Sequence, residues 1–200
     1  MQQAARSAPA AARNREPILR VLRDCLPRTA QVLEIASGTG EHAVWFSHAF
    51  PEMTWQPTDH DPEALISIAA WRDRTGPPNL LPPLRLDAAA DIWPVNHADV
   101  VVAINMVHIA PWTATQGLIA GAARVLTTGG LLFLYGPFRE GGVHTTASNA
   151  AFDADLQARD PAWGIRDLDE VSALAQRHGF TEPDRIAMPA NNLSVVFRRR

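Results

Sequence analysis

The chain has 200 residues, 46% of them hydrophobic and 20% charged, with a formal net charge of −3 at pH 7. That length suits one domain with a substantial core, and the slight acidity offers nucleic acid no general attraction. A single cysteine, Cys25, excludes an internal disulfide and fits a reducing cytoplasm, and no apolar run approaches the ~20 residues that cross a bilayer.

Residues 1–12, M-Q-Q-A-A-R-S-A-P-A-A-A, are alanine-rich and lack acids. That composition touches on transit peptides, but one arginine and a proline in so short a stretch read as a disordered extension, with one folded domain over 13–200. Arg13 to Leu26 sets Ile18, Leu19, Leu22 and Leu26 at helical spacing, with Pro17 acceptable only near the helix start. Cys25 falls on the apolar side of that pattern and reads as packing.

Gln31 to Ala36 reads as a buried strand carrying Val32, Leu33 and Ile35. It runs through the small-residue turn Ser37-Gly38-Thr39-Gly40 into a helical pattern from Glu41 to Phe50. A strand, a glycine turn and a helix in that order let a ligand approach the backbone closely. Gly38, Gly40 and Ala43 also satisfy G-x-G-x-x-A, the fingerprint of a dinucleotide-binding unit. Glu34 separates the two readings. A carboxylate beside the turn repels a pyrophosphate and suits a ligand with ammonium or hydroxyl donors. S-adenosyl-L-methionine (SAM) is such a ligand, because its sulfonium and amino groups are both positive.

Met53 to Thr58 reads as the second strand and is followed by Asp59, an acid placed for ribose hydroxyls in either class. Asp61-Pro62 opens a helix to about Arg74 as a cap with proline at the first helical position. A proline-rich loop leads to a short strand, Leu84 to Leu86, and then Asp87. Asp99 to Asn105 contains Val100-Val101-Val102-Ala103-Ile104, a run that suits a strand buried on both faces. A helix at Gln116 to Leu126 and the Gly129-Gly130 turn precede a strand at Leu131 to Tyr135. The segment 136–164 reads as an irregular insertion, and loops of that length are commonly functional; a lid is expected there. A helix over Asp167 to His178, with Gly179 beyond its end, precedes two strands, Arg185 to Met188 and Leu193 to Arg198.

Alternating strands and helices imply an α/β fold: a Rossmann-like, doubly wound, seven-stranded sheet. The sheet is mostly parallel, and the closing hairpin, lacking a crossover helix, makes the C-terminal strand antiparallel. That ending suits a class I methyltransferase better than a dinucleotide-binding domain, and little chain remains for a dehydrogenase's substrate domain.

The chain resembles, over nearly its whole length, the methyltransferase-like DUF938 family. The pieces that carry the resemblance include R-N-R-E-P-I-L (13–19), V-L-E-I-A-S-G-T-G-E-H-A (32–43) and W-Q-P-T-D-H-D (55–61). They continue with I-N-M-V-H-I-A-P-W (104–112), Y-G-P-F (135–138), S-N-A-A-F-D (148–153), W-G-I-R-D-L (163–168) and M-P-A-N-N-L (188–193). The resemblance implies a class I methyltransferase fold and SAM binding, and supplies no substrate. One departure stands out: the usual acid-x-G-x-G-x-G becomes Glu34-x-Ala36-x-Gly38-x-Gly40. A methyl group at Ala36 is tolerated if φ there is negative.

On this reading the backbone at Ala36, Gly38 and Gly40 approaches the methionine part of SAM with Glu34 organising the turn, Asp59 meets its ribose, and Asp87 its adenine, unless Asp87 only caps a turn. Asn105, Met106 and His108 follow the fourth strand, where an acceptor is expected. Asn105 borders the cofactor and Met106 the acceptor. His108 is the candidate general base, against a histidine merely bonding a loop carbonyl. Tyr135, the only tyrosine, could hold a polar group or simply pack. His144, Asn149, Asp153, Trp163 and Arg166 are expected contacts from the lid, with an Arg166–Asp167 ion pair as the alternative for Arg166. Asn14 and Arg15 could close over the cofactor from the first helix. The histidines show no metal-ligand spacing and no metal is expected.

The leading expectation is a SAM-dependent methyltransferase acting on a small molecule in the cytoplasm, with neither nucleic acid nor membrane as partner. A non-catalytic SAM-binding module and an NAD-dependent oxidoreductase are the alternatives. The acceptor atom and the oligomeric state leave no trace in the sequence.

Overall fold

Seven strands pair in the order β3-β2-β1-β4-β5-β9-β8, in a computed structural model that describes residues 5–200. These are β1 (Gln31–Ile35), β2 (Thr54–Asp59), β3 (Leu84–Arg85), β4 (Ala98–Ile104), β5 (Leu126–Gly136), β8 (Asp184–Met188) and β9 (Asn192–Arg198). Pairs β1–β2, β1–β4, β2–β3 and β4–β5 are parallel, and β9 runs antiparallel to both β5 and β8.

The helices cover both faces, as a sheet buried on both sides requires. Along β4, Val101 and Ala103 join the core under α4 (Trp112–Val125) and α6 (Leu168–Arg177), whereas Val100, Val102 and Ile104 face α1 (Pro9–Cys25) and α2 (Glu41–Ala49). All five of these β4 residues are buried, which explains a run with no polar alternation. Because β4 pairs beside β1, the crossovers leave the sheet in opposite directions at this point. The ends of β1 and β4 therefore part and open a crevice, the usual ligand position in such sheets.

Three stretches differ from the sequence reading. Helix α4 begins at Trp112, ahead of Gln116, and β5 starts at Leu126 and runs through Gly129-Gly130, where a turn is expected. Helix α1 begins at Pro9, with Pro9 in the first turn and Ala8 as its uncapped start, so residues 9–12 are helical where a disordered extension is expected. Alanine's helix propensity and proline's preset φ favour this earlier start, and it leaves Pro17 inside the helix. Residues 1–4 of that expected extension lie outside the described residues. The segment 136–164 is not irregular. It forms a hairpin, β6 (Arg139–Glu140) and β7 (Val143–His144), followed by α5 (Ala147–Arg159). Gly141 and Gly142 supply the left-handed turn, with φ of 59° and 78°, and the Thr146 side chain caps α5 by accepting from the Asn149 N–H. Helix α3 (Pro62–Thr75) opens as read, on the Asp61 side chain. No helix among the described residues is long and apolar enough to cross a membrane.

Candidate functional site: a crevice at the strand switch point

A cavity of about 790 Å³ occupies the crevice, within the size range of small-molecule sites. Its floor is the turn after β1. Ala36 and Gly38 both take left-handed backbone, with φ of 55° and 57°. The condition set on Ala36, a negative φ, is therefore not met: its methyl group sits on left-handed backbone. Hydrogen bonds fix the turn to the end of β2. Ser37 N–H donates to Thr58 O at 2.8 Å, and Gly38 N–H donates to Asp59 Oδ2 at 2.9 Å. Asp59 Oδ1 accepts from Asp61 N–H at 3.0 Å.

Glu34, Ala36, Gly38, Asp59, Asp87, Asn105, Met106 and Trp163 all line this cavity. Asp87 also accepts from Ala89 N–H at 2.9 Å, so turn cap and cavity wall coexist in one side chain. Asn105 leaves β4 with φ of 55°, a conformation asparagine tolerates better than most residues. Gly40 is different. It does not line the cavity; it starts α2 at φ 90°, and a Cβ there would stand 2.8 Å from Ile68 Cα. Close packing of α2 on α3 explains this glycine, and contact with a ligand does not.

Glu34 is 2% exposed and accepts from Trp55 Nε1–H at 2.6 Å. Burial pushes its carboxyl up to about 7, with the nearby Asp59 charge adding to the shift. His42, in the first turn of α2, lines the cavity as well. Its Nε2 meets Asn14 Oδ1 at 2.8 Å and its ring stacks on Phe46. Burial, helped by the Arg15 charge, pulls this imidazole down to about 4.

The other expected residues stand outside the cavity wall. His108 is buried, its ring edge-on to Phe152 and against Gly136, where a Cβ would come within 3.0 Å of Nδ1. Its main-chain oxygen accepts from Gly164 N–H at 3.0 Å. Burial, with the Arg166 charge, also lowers it to about 4. Tyr135 points into the core on the α1 side, and its hydroxyl meets the side chains of Asn14 and Asn192. Asn149 ties α5 to the β8–β9 connection by donating to Asn191 O at 3.0 Å. Asp153 accepts from Ile165 N–H at 2.6 Å and stands 3.3 Å from His144 Nε2. Arg166 donates to Val107 O, Ala110 O and Ala162 O. The alternative of an Arg166–Asp167 ion pair gives way to this clamp, and Asp167 instead caps α6 through the Asp169 N–H. The segment 136–164 thus braces the wall, and Trp163, just after α5, reaches the cavity.

The roof comes from the N-terminal segment, which the sequence reading sets aside. Arg6, Ala8, Ala10 and Ala11 line the cavity. Arg6 N–H donates to Ser67 Oγ, Trp71 Nε1–H donates to Arg6 O, and Ala8 N–H donates to Glu41 Oε2. His42 is the other residue missed. Its position two after Gly40 was visible, but a helical pattern alone cannot say that it faces Asn14. Among the described residues, no group of three or more His, Cys, Asp or Glu is placed to hold a metal ion.

The chain belongs to the family of proteins of unknown function DUF938, whose model matches residues 5–199. Solved structures share the fold at low identity. Human N-acetylserotonin methyltransferase in complex with SAM is 13% identical with a TM-score of 0.78, the match covering 95% of this chain and 52% of that one. An O-methyltransferase family 2 protein from Planctomyces limnophilus, in complex with apigenin, is 19% identical with a TM-score of 0.79, covering 96% and 60%. PigF with S-adenosylhomocysteine (SAH) is 16% identical with a TM-score of 0.76, covering 92% and 55%. The chain thus spans a little over half the length of these proteins.

Proposed function

We propose that this chain is a SAM-dependent methyltransferase acting on a small molecule. One observation carries the reading: the crevice between β1 and β4 sets the carboxylates of Asp59 and Asp87 and the burial-raised carboxyl of Glu34 along a wall whose floor is exposed turn backbone. SAM presents an ammonium, a sulfonium, a ribose diol and an adenine amino group, all of which are cationic or hydrogen-bond donors. The residues present fit it. Space is also free beside Gly38, where nothing lies within 4 Å of the place a Cβ would take. The solved neighbours crystallised with SAM or SAH support the same reading.

In this reading Asp59 accepts from the ribose hydroxyls, Asp87 from the adenine amino group, and Glu34 faces the positive methionine end. SAM supplies a methyl group already activated by its sulfonium. The protein's remaining work is to align the acceptor, exclude water and remove a proton. His42 takes the part of proton acceptor. With Asn14 presenting Oδ1, His42 donates through Nε2–H, which leaves the lone pair on Nδ1. Burial leaves that lone pair unprotonated at neutral pH, and the same lowering of basicity makes His42 a weak base.

Equilibrium dialysis with radiolabelled SAM tests the cofactor assignment. Asp59→Ala should weaken binding by about 1.5–3 kcal/mol, the worth of hydrogen bonds to a charged group. Wild-type affinity in that variant would refute the ribose assignment.

A further inference from the structure

We infer that the acceptor is an uncharged molecule with an apolar face, and that the site rejects anions. This rests on the cofactor reading above and deepens it. Four carboxyl groups line the cavity, Glu34, Asp59, Asp61 and Asp87, of which buried Glu34 is only partly ionised at neutral pH, against one guanidinium, Arg6. That guanidinium is already paired with Asp61 at 3.8 Å. SAM carries a sulfonium, an ammonium and a carboxylate, a net single positive charge, so the site keeps a negative balance when SAM is bound. An anionic acceptor would enter against that field and lose its hydration as well.

The part of the wall away from the carboxylates carries no charge. It is built from the β4–α4 connection, the first turn of α4 and the α5–α6 connection: Met106, Ile109, Ala110, Pro111, Ala114 and Trp163. Ile109 is 43% exposed, a large apolar side chain left open at the wall of a cavity. The cations nearest this wall are engaged elsewhere. Arg166 gives its N–H groups to three backbone carbonyls, and Arg159 pairs with Asp155 at 3.1 Å. The roof residues Ala8, Ala10 and Ala11 add only methyl groups. A cationic acceptor would be drawn by that same field, but against the apolar wall it would lose its hydration with no partner to replace it, so the uncharged class fits best.

The test uses three small molecules of one shape on the full chain saturated with SAH: 4-methylphenol, 4-methylbenzoate and 4-methylbenzylamine. Calorimetry should find the phenol bound at least about ten-fold more tightly than either ion. Trp163→Ala should reduce phenol affinity with SAH affinity intact, and Ile109→Lys should shift the preference toward the benzoate. Equal or tighter binding of either ion, uptake of none of the three, or indifference of phenol binding to Trp163→Ala overturns the inference. If SAH itself fails to bind, the cofactor reading falls and this inference with it; the other failures leave the cofactor reading standing.

Discussion

Ala36 and Asn105 leave neighbouring parallel strands by the same left-handed step, φ 55° in each, and both line the crevice. The register pairs Ile35 with Ala103, so the two bends stand side by side where β1 and β4 part. A non-glycine residue in this conformation costs roughly 1–2 kcal/mol. Such strain persists only where surrounding contacts hold it, and it gathers at ligand sites. Here the Ser37–Thr58 and Gly38–Asp59 hydrogen bonds hold one bend, and Asn105 N–H donating to Tyr135 O at 2.8 Å holds the other.

Alanine gains nothing from the left-handed region, so Ala36→Gly should stabilise the fold. Relief of backbone strain, less the greater freedom of glycine in the unfolded chain, leaves about 0.5–1 kcal/mol. Urea denaturation of the two proteins measures it. A loss of stability would mean that the Ala36 methyl packs usefully against the core.

The two glycines of the turn should separate cleanly. Gly40→Ala combines a φ of 90° with a Cβ only 2.8 Å from Ile68 Cα, and should cost about 3 kcal/mol from strain and overpacking together. Gly38→Ala meets nothing within 4 Å, should cost about 1–2 kcal/mol from its backbone alone, and places its methyl group in the crevice. Denaturation midpoints together with SAM affinities distinguish them, with ligand binding falling furthest, relative to stability, in Gly38→Ala.

How far these features were legible beforehand depends on what each residue answers to. The run Val100 to Ile104 announced a doubly buried strand because burial on both faces leaves its mark in the strand's own composition. The capping by Asp61 was equally local. Asp59 and Glu34 were readable because their distance from the glycine turn follows from the length of one strand–helix–strand unit. His42 and His108 show the limit. Each is a lone histidine near a strand end, and only tertiary packing puts Asn14 and the cavity beside one, and Phe152 and Gly136 against the other. The roof was missed for a related reason. Arg6 and Ala8 are held by Ser67, Trp71 and Glu41, partners more than 30 residues away that no local pattern reveals.

Glu34 should leave a signature in the pH dependence of stability. Its folded carboxyl titrates at about 7, above the ordinary 4.5, so the native state holds a proton that the unfolded chain releases. The sign follows directly: this residue's contribution falls as pH rises from about 4.5 to about 7, by roughly 3 kcal/mol at most. Glu34→Gln removes that slope. His42 and His108, lowered to about 4, act oppositely as pH rises from about 4 to 6.5, but they are common to both proteins. The stability of Glu34→Gln relative to wild type should therefore climb between pH 5 and 7 and level off above, as read from urea midpoints across that range. A flat difference would contradict the burial argument.

The measurement that bears most directly on the whole account is calorimetric titration of the protein with SAM, SAH and NAD in parallel. Saturable binding of SAM and SAH, with no heat from NAD, is the predicted result. Binding of NAD with silence from both adenosyl ligands would contradict the role given to Glu34, and with it the assignment of the crevice.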